Sequence, residues 1–205
     1  MSFRSFIRDI GFIGIAEVLV NLGGVFLIPI ITKTLGSFGY GLWQQVIVTS
    51  SLVSAFANVG LTNVLLRFLP SKKSKEEKHD LFFSVLLFVL AVSSVISLLL
   101  WLGSEVIGNA FFDGATELVQ LTGFLFLLNC INILCQFYFR SLRQIKTYSI
   151  IRISLRYCEL GFAFMLILLG YGIMGALGAV LAVRFVFFLI SLLKSEKSSK
   201  CSYRL

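Results

Sequence analysis

The sequence has few charged residues, few prolines and almost no histidine. Of its 205 residues only 14% are charged, whereas 58% are hydrophobic, and the mean hydropathy is +0.94. A soluble domain carries about 25% charged residues. This chain therefore has more apolar residues than a water-soluble fold can bury. We therefore predict an integral membrane protein. The low proline content, with two residues, and the lack of low-complexity tracts exclude collagen-like and disordered chains.

Residues that hold metals or carry out catalysis are also scarce. His79 is the single histidine, and the four cysteines, Cys130, Cys135, Cys158 and Cys201, form no C-x-x-C motif. Three of the cysteines lie within apolar blocks, so we interpret them as small hydrophobic residues. No Walker loop, G-x-S-x-G or H-E-x-x-H motif is present. The sequence therefore predicts no metal site, no cofactor and no enzyme activity.

Six continuously apolar blocks dominate what is present. Each is about 20 residues long, enough for a helix to cross a bilayer, whereas barrel strands would alternate apolar and polar residues. We predict an all-α bundle that forms a single six-helix transmembrane lobe over residues 1–205. The predicted spans are residues 6–31, 42–68, 81–103, 118–139, 148–169 and 173–193. Short connections at 33–41, 104–117 and 170–172 join them on one side, and loops at 69–80 and 140–147 on the other.

The positive charges give this arrangement an orientation. The formal net charge is +8, with eighteen Lys and Arg residues. If both termini are cytoplasmic, sixteen of the eighteen fall in or next to cytoplasmic segments, including loops 69–80 and 140–147 and the tail 194–205. This asymmetry follows the positive-inside rule and predicts a multi-pass protein of the cytoplasmic membrane. No basic stretch is long enough for a nucleic-acid recognition module, so we expect no nucleic-acid partner.

Polar side chains recur at helical spacing inside the predicted spans. A charge at a helix centre costs at least about 2.5 kcal/mol, so such residues usually face the bundle interior or a cavity. The candidate substrate-cavity residues are Glu17, Asn21, Asn58, Arg67, Asn129, Asn132, Arg156, Glu159 and Arg184. Amides and serines at this spacing are also typical of contacts between helices, and that alternative stays open.

Depth in the bilayer suggests an ion pair. At about 1.5 Å per residue, three charged residues lie near the midplane, so we predict that Glu17 or Glu159 pairs with Arg184. Arg152 is nearer the membrane surface, and we interpret it as a side chain that extends toward the headgroups.

Two segments resemble a known family. Residues 35–43 (LGSFGYGLW) and 58–68 (NVGLTNVLLRF), together with Asp9-Ile10-Gly11, are similar to Wzx-type polysaccharide and O-antigen flippases of the multidrug/oligosaccharidyl-lipid/polysaccharide superfamily. Members of that family have two lobes around a cationic cavity and move polyprenyl-pyrophosphate-linked sugars across the membrane. The six predicted spans correspond to the N-terminal lobe. The resemblance thus implies three partners: membrane lipid, the lipid-linked sugar, and a second lobe from a homodimer or a separate chain.

The resemblance also implies roles for the candidate residues. Arg67, Arg156 and Arg184 would attract the pyrophosphate, and Glu17 or Glu159 could carry a coupling proton. The four asparagines would contact sugars. Two alternatives remain: a truncated or accessory membrane subunit without transport activity, and a drug or cation exporter of the same superfamily.

Overall fold

The computed structural model describes residues 3–58, 60–72 and 74–200, and these form an all-α bundle without strands. The end of the predicted tail, residues 201–205, lies outside the described residues. The helices are α1 (Phe3–Ala57), α2 (Leu61–Phe68), α3 (Lys75–Leu102), α4 (Ser104–Phe111), α5 (Thr116–Ser141), α6 (Ile145–Leu168) and α7 (Gly172–Lys200). The predicted all-α membrane fold is confirmed.

Among the described residues, three helices are long and apolar enough to cross a membrane: Glu76–Leu102 in α3, Thr116–Ser141 in α5 and Gly172–Lys194 in α7. A fourth candidate is the pair Ile31–Ala57 and Leu61–Phe68, whose axes differ by 54°. The first part of α1 adds a shorter apolar helix, Gly11–Val25. α6 has 24 residues but carries several charged side chains, which reduce its hydropathy. The number of six spans and the cytoplasmic termini stay predictions.

The first long helix is divided by one glycine. Gly36 has φ 73° and ψ 173° inside α1, a conformation that is essentially restricted to glycine because it lacks a Cβ. Residues 33–35 and 37–41 are helical on either side. The expected loop over 33–41 is therefore wrong in extent, since a single residue makes the break. The loop expected at 104–117 likewise contains a helix, α4.

α5 is the central helix, and it packs against each of the other six helices. It contributes to two apolar clusters. One includes Val46 and Leu177, and the other includes Leu65 and Phe82. Large apolar side chains on the outside of the bundle, such as Leu99 of α3, are exposed, as expected for surfaces in contact with lipid.

Small residues allow the helices to approach closely. A Cβ added at Gly123 of α5 would lie 3.3 Å from the carbonyl oxygen of Ser97 in α3. A Cβ added at Gly23 of α1 would lie 2.9 Å from Leu160 of α6. Such contacts are typical of membrane helix interfaces. The close contact between α1 and α6 brings together the charged side chains described next.

Candidate functional site

A buried carboxylate on α6 lies between two arginines. The side chain of Glu159 is 5% exposed, and Arg184 Nε on α7 donates to its Oε1 at 2.6 Å. Arg156 Nη1, one helical turn earlier on α6, donates to its Oε2 at 3.5 Å. The sequence-based prediction that Glu159 pairs with Arg184 is confirmed. Two basic partners compensate the carboxylate for its loss of solvation, which would otherwise be very costly inside a membrane protein.

Arg184 is also held by the central helix. Its Nη1 donates to the carbonyl oxygen of Leu125 at 3.4 Å, and Asn132 Nδ2 donates to the carbonyl oxygen of Arg184 at 3.0 Å. Asn132 also donates to the carbonyl oxygen of Leu128 at 2.9 Å. These contacts fix both the backbone and the guanidinium of Arg184 against α5. Asn132 therefore acts as a contact between helices in this structure.

A second ion pair joins α6 to α1. Arg152 Nη2 donates to Glu17 Oε2 at 2.9 Å, and Arg152 Nη1 donates to Tyr148 Oη at 2.6 Å. The alternative prediction, that Glu17 pairs with Arg184, is wrong. Equal depth does not decide which helices are neighbours, and the first half of α1 packs on α6. The guanidinium of Arg152 is thus bonded to two side chains, and its extension toward the headgroups stays a prediction.

These five side chains, Glu17, Arg152, Arg156, Glu159 and Arg184, are hereafter the charge cluster. Three arginines against two carboxylates leave it a formal charge of +1. Electrostatic interactions are strong where the dielectric is low, and a cluster with one excess guanidinium is suited to an anion.

The charge cluster has a buried end and an open edge. Side-chain exposure is 12% for Arg184 and 5% for Glu159, but 34% for Arg156, 32% for Arg152 and 39% for Glu17. Arg156 Nη2 lies beside α1, where a Cβ added at Gly24 would be 3.5 Å away. Arg156 is thus bonded to protein less tightly than Arg184 and retains N–H groups for a ligand.

Two other candidate residues form a separate hydrogen-bonded group. Asn129 Nδ2 of α5 donates to Ser54 Oγ at 2.9 Å, and Asn58 Nδ2 donates to the carbonyl oxygen of Ser54 at 3.0 Å. Asn58 Oδ1 is buried and has no hydrogen-bond partner among the residues that the structure describes. This group joins the second half of α1 to α5. The contacts fit the packing alternative, and a substrate-binding role for these asparagines stays a prediction.

The remaining candidates, Asn21 and Arg67, are exposed. Asn21 follows Glu17 by one helical turn, so it lies near the open edge of the charge cluster. Arg67 is in the last turn of α2, and its guanidinium carbon is 5.8 Å from the centroid of the Phe68 ring. Within the described parts of the chain, Arg67 makes no hydrogen bond or ion pair with the charge cluster.

Two members of this region, Arg152 and Tyr148, were not among the candidate residues taken from the sequence. Their signal was present in the spacing of α6, where residues 148, 152, 156 and 159 follow one another at intervals of four, four and three. That spacing puts all of them on one face of the helix. It does not show which neighbouring helix that face contacts.

A groove of about 760 Å³ lies apart from these residues, and none of the nine candidates lines it. It is formed by α1 just after Gly36 and by Asp113 in the connection between α4 and α5. The side-chain amide of Gln45 donates to the carbonyl oxygen of Phe111, which fixes the two walls together. Among the described residues no group of three or more His, Cys, Asp and Glu could hold a metal ion.

The fold and the charge cluster define a multi-pass helical membrane protein with ionised groups inside its bundle. A family model for polysaccharide biosynthesis proteins matches residues 6–197. The chain therefore belongs to the polysaccharide biosynthesis protein family, as its resemblance to Wzx-type flippases predicted. No curated protein and no solved structure matches it.

Proposed function

We propose that this protein moves lipid-linked oligosaccharide precursors across the cytoplasmic membrane, and that the charge cluster binds their pyrophosphate. The charge cluster carries the proposal, because it combines a net positive charge with an arginine that has free N–H groups. The family supports a role in polysaccharide synthesis. No covalent chemistry is required, since the substrate only changes sides.

The arginines of the charge cluster have different roles in this proposal. Arg156 is partly exposed and has a long bond of 3.5 Å to Glu159, so it can turn toward a phosphate at little cost. Arg184 is held by Glu159 and Leu125 and serves to position Glu159. Charge-assisted hydrogen bonds from a guanidinium to phosphate oxygens are short and strong. Arg156 is therefore the residue expected to contact the pyrophosphate.

The open edge of the charge cluster needs a polar environment. Charged side chains with about a third of their surface free cannot face acyl chains without a large penalty. We place this edge, between α1 and α6, against a water-filled path that a second lobe completes. A homodimer partner or a separate chain could supply that lobe.

The net charge also separates this proposal from its alternatives. An exporter of cations would need an excess of carboxylates along its path, whereas the charge cluster has an excess of arginine. In an accessory subunit without transport activity, a partly exposed Arg156 would have no role. The transport assay tests this alternative directly.

The test uses membrane vesicles from source cells that lack the gene and carry it back on a plasmid, so that native partners are retained. A fluorescent polyprenyl-pyrophosphate oligosaccharide is added, and its movement between leaflets is followed by quenching. Loss of a charged hydrogen bond costs about 1.5–3 kcal/mol, so Arg156→Gln should slow movement at least about tenfold. Arg156→Lys should retain part of the rate.

The matched control is Lys78→Gln, which removes one positive charge at the start of α3, outside the charge cluster. It should leave the rate unchanged. Equal rates for wild type and Arg156→Gln would show that the charge cluster does not bind the transported substrate. Equal rates with and without the gene would favour the subunit without transport activity.

A further inference from the structure

The groove beside Gly36 differs in chemistry from the charge cluster. Its lining includes two hydroxyls, two amides, one carboxylate and two aromatic rings, supplied by Ser37, Gln44, Gln45, Asp113, Phe38 and Tyr40. We propose that this groove is a second binding site, which takes an uncharged sugar unit of the transported oligosaccharide. That this sugar is part of a transported substrate rests on the proposed function. Binding of sugar in the groove can be measured without transport.

The lining matches what a sugar presents. A sugar ring has hydroxyl groups around its rim and C–H groups on its faces. Carboxamide, carboxylate and hydroxyl side chains donate to or accept from hydroxyls, and aromatic rings such as Phe38 supply flat apolar contact. A few convergent polar groups on a largely apolar wall are typical of small-molecule sites. A volume of about 760 Å³ lies within the range of small-molecule sites.

The charge of the groove disfavours anionic ligands. Among the described residues, Asp113 is the single ionised residue that lines it, and neither a lysine nor an arginine does. A pyrophosphate would meet a carboxylate and no cation, which is unfavourable because like charges repel. The cationic charge cluster is suited to the phosphate and the groove to neutral sugar. Acidic sugars should bind it poorly.

The groove walls are held in place before any ligand arrives. Gly36 sets the direction of α1, and the bond from Gln45 to the carbonyl of Phe111 ties α1 to the end of α4. On the opposite wall, Gly108 packs against Thr116, and Gly114 N–H donates to the carbonyl oxygen of Gly108 at 3.0 Å. Fixed walls reduce the entropy lost on binding.

Gly41 offers a direct way to fill the groove. It lines the groove, lies within helix α1, and a Cβ added to it would meet no atom within 4 Å. The substitution Gly41→Phe should therefore fold normally while its ring occupies the space of a ligand. Gly161→Phe is the matched control, because Gly161 is also helical, exposed and free of neighbours within 4 Å, but lies on α6 outside the groove.

The experiment is saturation-transfer difference NMR on the full chain in lipid nanodiscs, prepared without sugar detergents that could occupy the groove. The probes are neutral di- and trisaccharides built from hexoses, N-acetylhexosamines and 6-deoxyhexoses, each compared with a glucuronic-acid analogue. We expect saturable transfer to at least one neutral probe and at least a fivefold weaker signal from its acidic analogue. Gly41→Phe should abolish transfer, whereas Gly161→Phe should not. Asp113→Asn should reduce the difference between neutral and acidic probes.

The outcomes separate this site from the proposed function. No transfer to any neutral probe, or transfer that survives Gly41→Phe, overturns the groove as a sugar site. If that occurs while movement of the lipid-linked sugar still depends on Arg156, the proposed function stands without the groove. If the groove binds sugar but restoring the gene produces no movement between leaflets, the sugar site stands and the transport proposal fails.

Discussion

Glu159 shows how a single residue can organise this membrane bundle. Its carboxylate accepts from Arg184 at 2.6 Å and from Arg156 at 3.5 Å, and its side chain is 5% exposed. Both charges of the buried pair, Glu159 and Arg184, are largely shielded from solvent. Removing one member of such a pair costs much more than removing both, because an uncompensated charge is left behind.

The first prediction tests this coupling. Glu159→Leu alone should lower the free energy of unfolding by about 3–5 kcal/mol, and the double variant Glu159→Leu/Arg184→Met should be more stable than Glu159→Leu alone. Thermal unfolding in detergent can be followed with a thiol-reactive dye, because Cys130 and Cys135 are buried and free.

The control for this prediction is Lys72→Gln, which breaks an exposed pair with Glu77 whose atoms are 3.6 Å apart. Exposed pairs contribute about 0–1 kcal/mol, so little change is expected. A double variant at least as unstable as the sum of its single variants would show that the pair has no coupling of this kind.

For individual residues, the sequence predicted a contact correctly where depth along the helices was enough to identify the partner. Depth along the helices correctly placed Glu159 level with Arg184. The same reasoning could not decide whether Glu17 faces α6 or α7, because lateral neighbours depend on how small residues such as Gly23 and Gly24 let α1 approach α6. The partner of Arg152, Glu17, could not be predicted for the same reason.

Among the elements, α1 depends on a single backbone conformation. Gly36 has φ 73° and ψ 173°, and a Cβ added there would meet no atom within 4 Å. The obstacle to other residues is therefore backbone strain and not contact with neighbours.

The second prediction compares two glycines of α1. Gly36→Ala should lower the free energy of unfolding by about 1–3 kcal/mol, the usual cost of such strain. Gly41→Ala should be neutral or stabilising by up to about 1 kcal/mol, because alanine favours helix. Thermal unfolding of both variants under identical conditions provides the measurement. Similar behaviour of the two variants would show that the break at Gly36 tolerates a side chain.

Hydropathy located the connections before α3 and α6 but not their extent. α3 begins at Lys75, inside the expected loop 69–80, and α6 begins at Ile145, inside the expected linker 140–147. The break in α1 was predicted within residues 33–41 but not its extent, because these polar and glycine residues are typical of loops yet are helical on both sides of Gly36. The bend before α2 has a similar origin, since Gly60 with φ 77° interrupts an apolar run.

For the whole molecule, orientation in the membrane is the main expectation still to be measured. The distribution of Lys and Arg predicts that residues 69–80 are cytoplasmic and that the connection around residue 113 is on the opposite side. Asp80 and Asp113 are both exposed, so each can be replaced by a cysteine for labelling.

The third prediction uses a background in which Cys158 and Cys201 are replaced by serine. A membrane-impermeant maleimide added to intact cells should label Asp113→Cys and should reach Asp80→Cys only after the cells are permeabilised. Labelling of Asp80→Cys alone in intact cells would reverse the orientation. Labelling of both would mean that the number of spans between them is even.

The central position of α5 has a consequence for synthesis. The chain leaves the ribosome from its N-terminus, so α1 to α4 enter the bilayer before the helix that all of them contact. Until residue 141 has been inserted, these early segments contact one another only weakly through α3 and lack their larger contacts with α5, so the insertion machinery or lipid must shield them. The helices of this protein thus assemble late in translation. A polypeptide that ends before residue 116 should be a preferred target for membrane proteases.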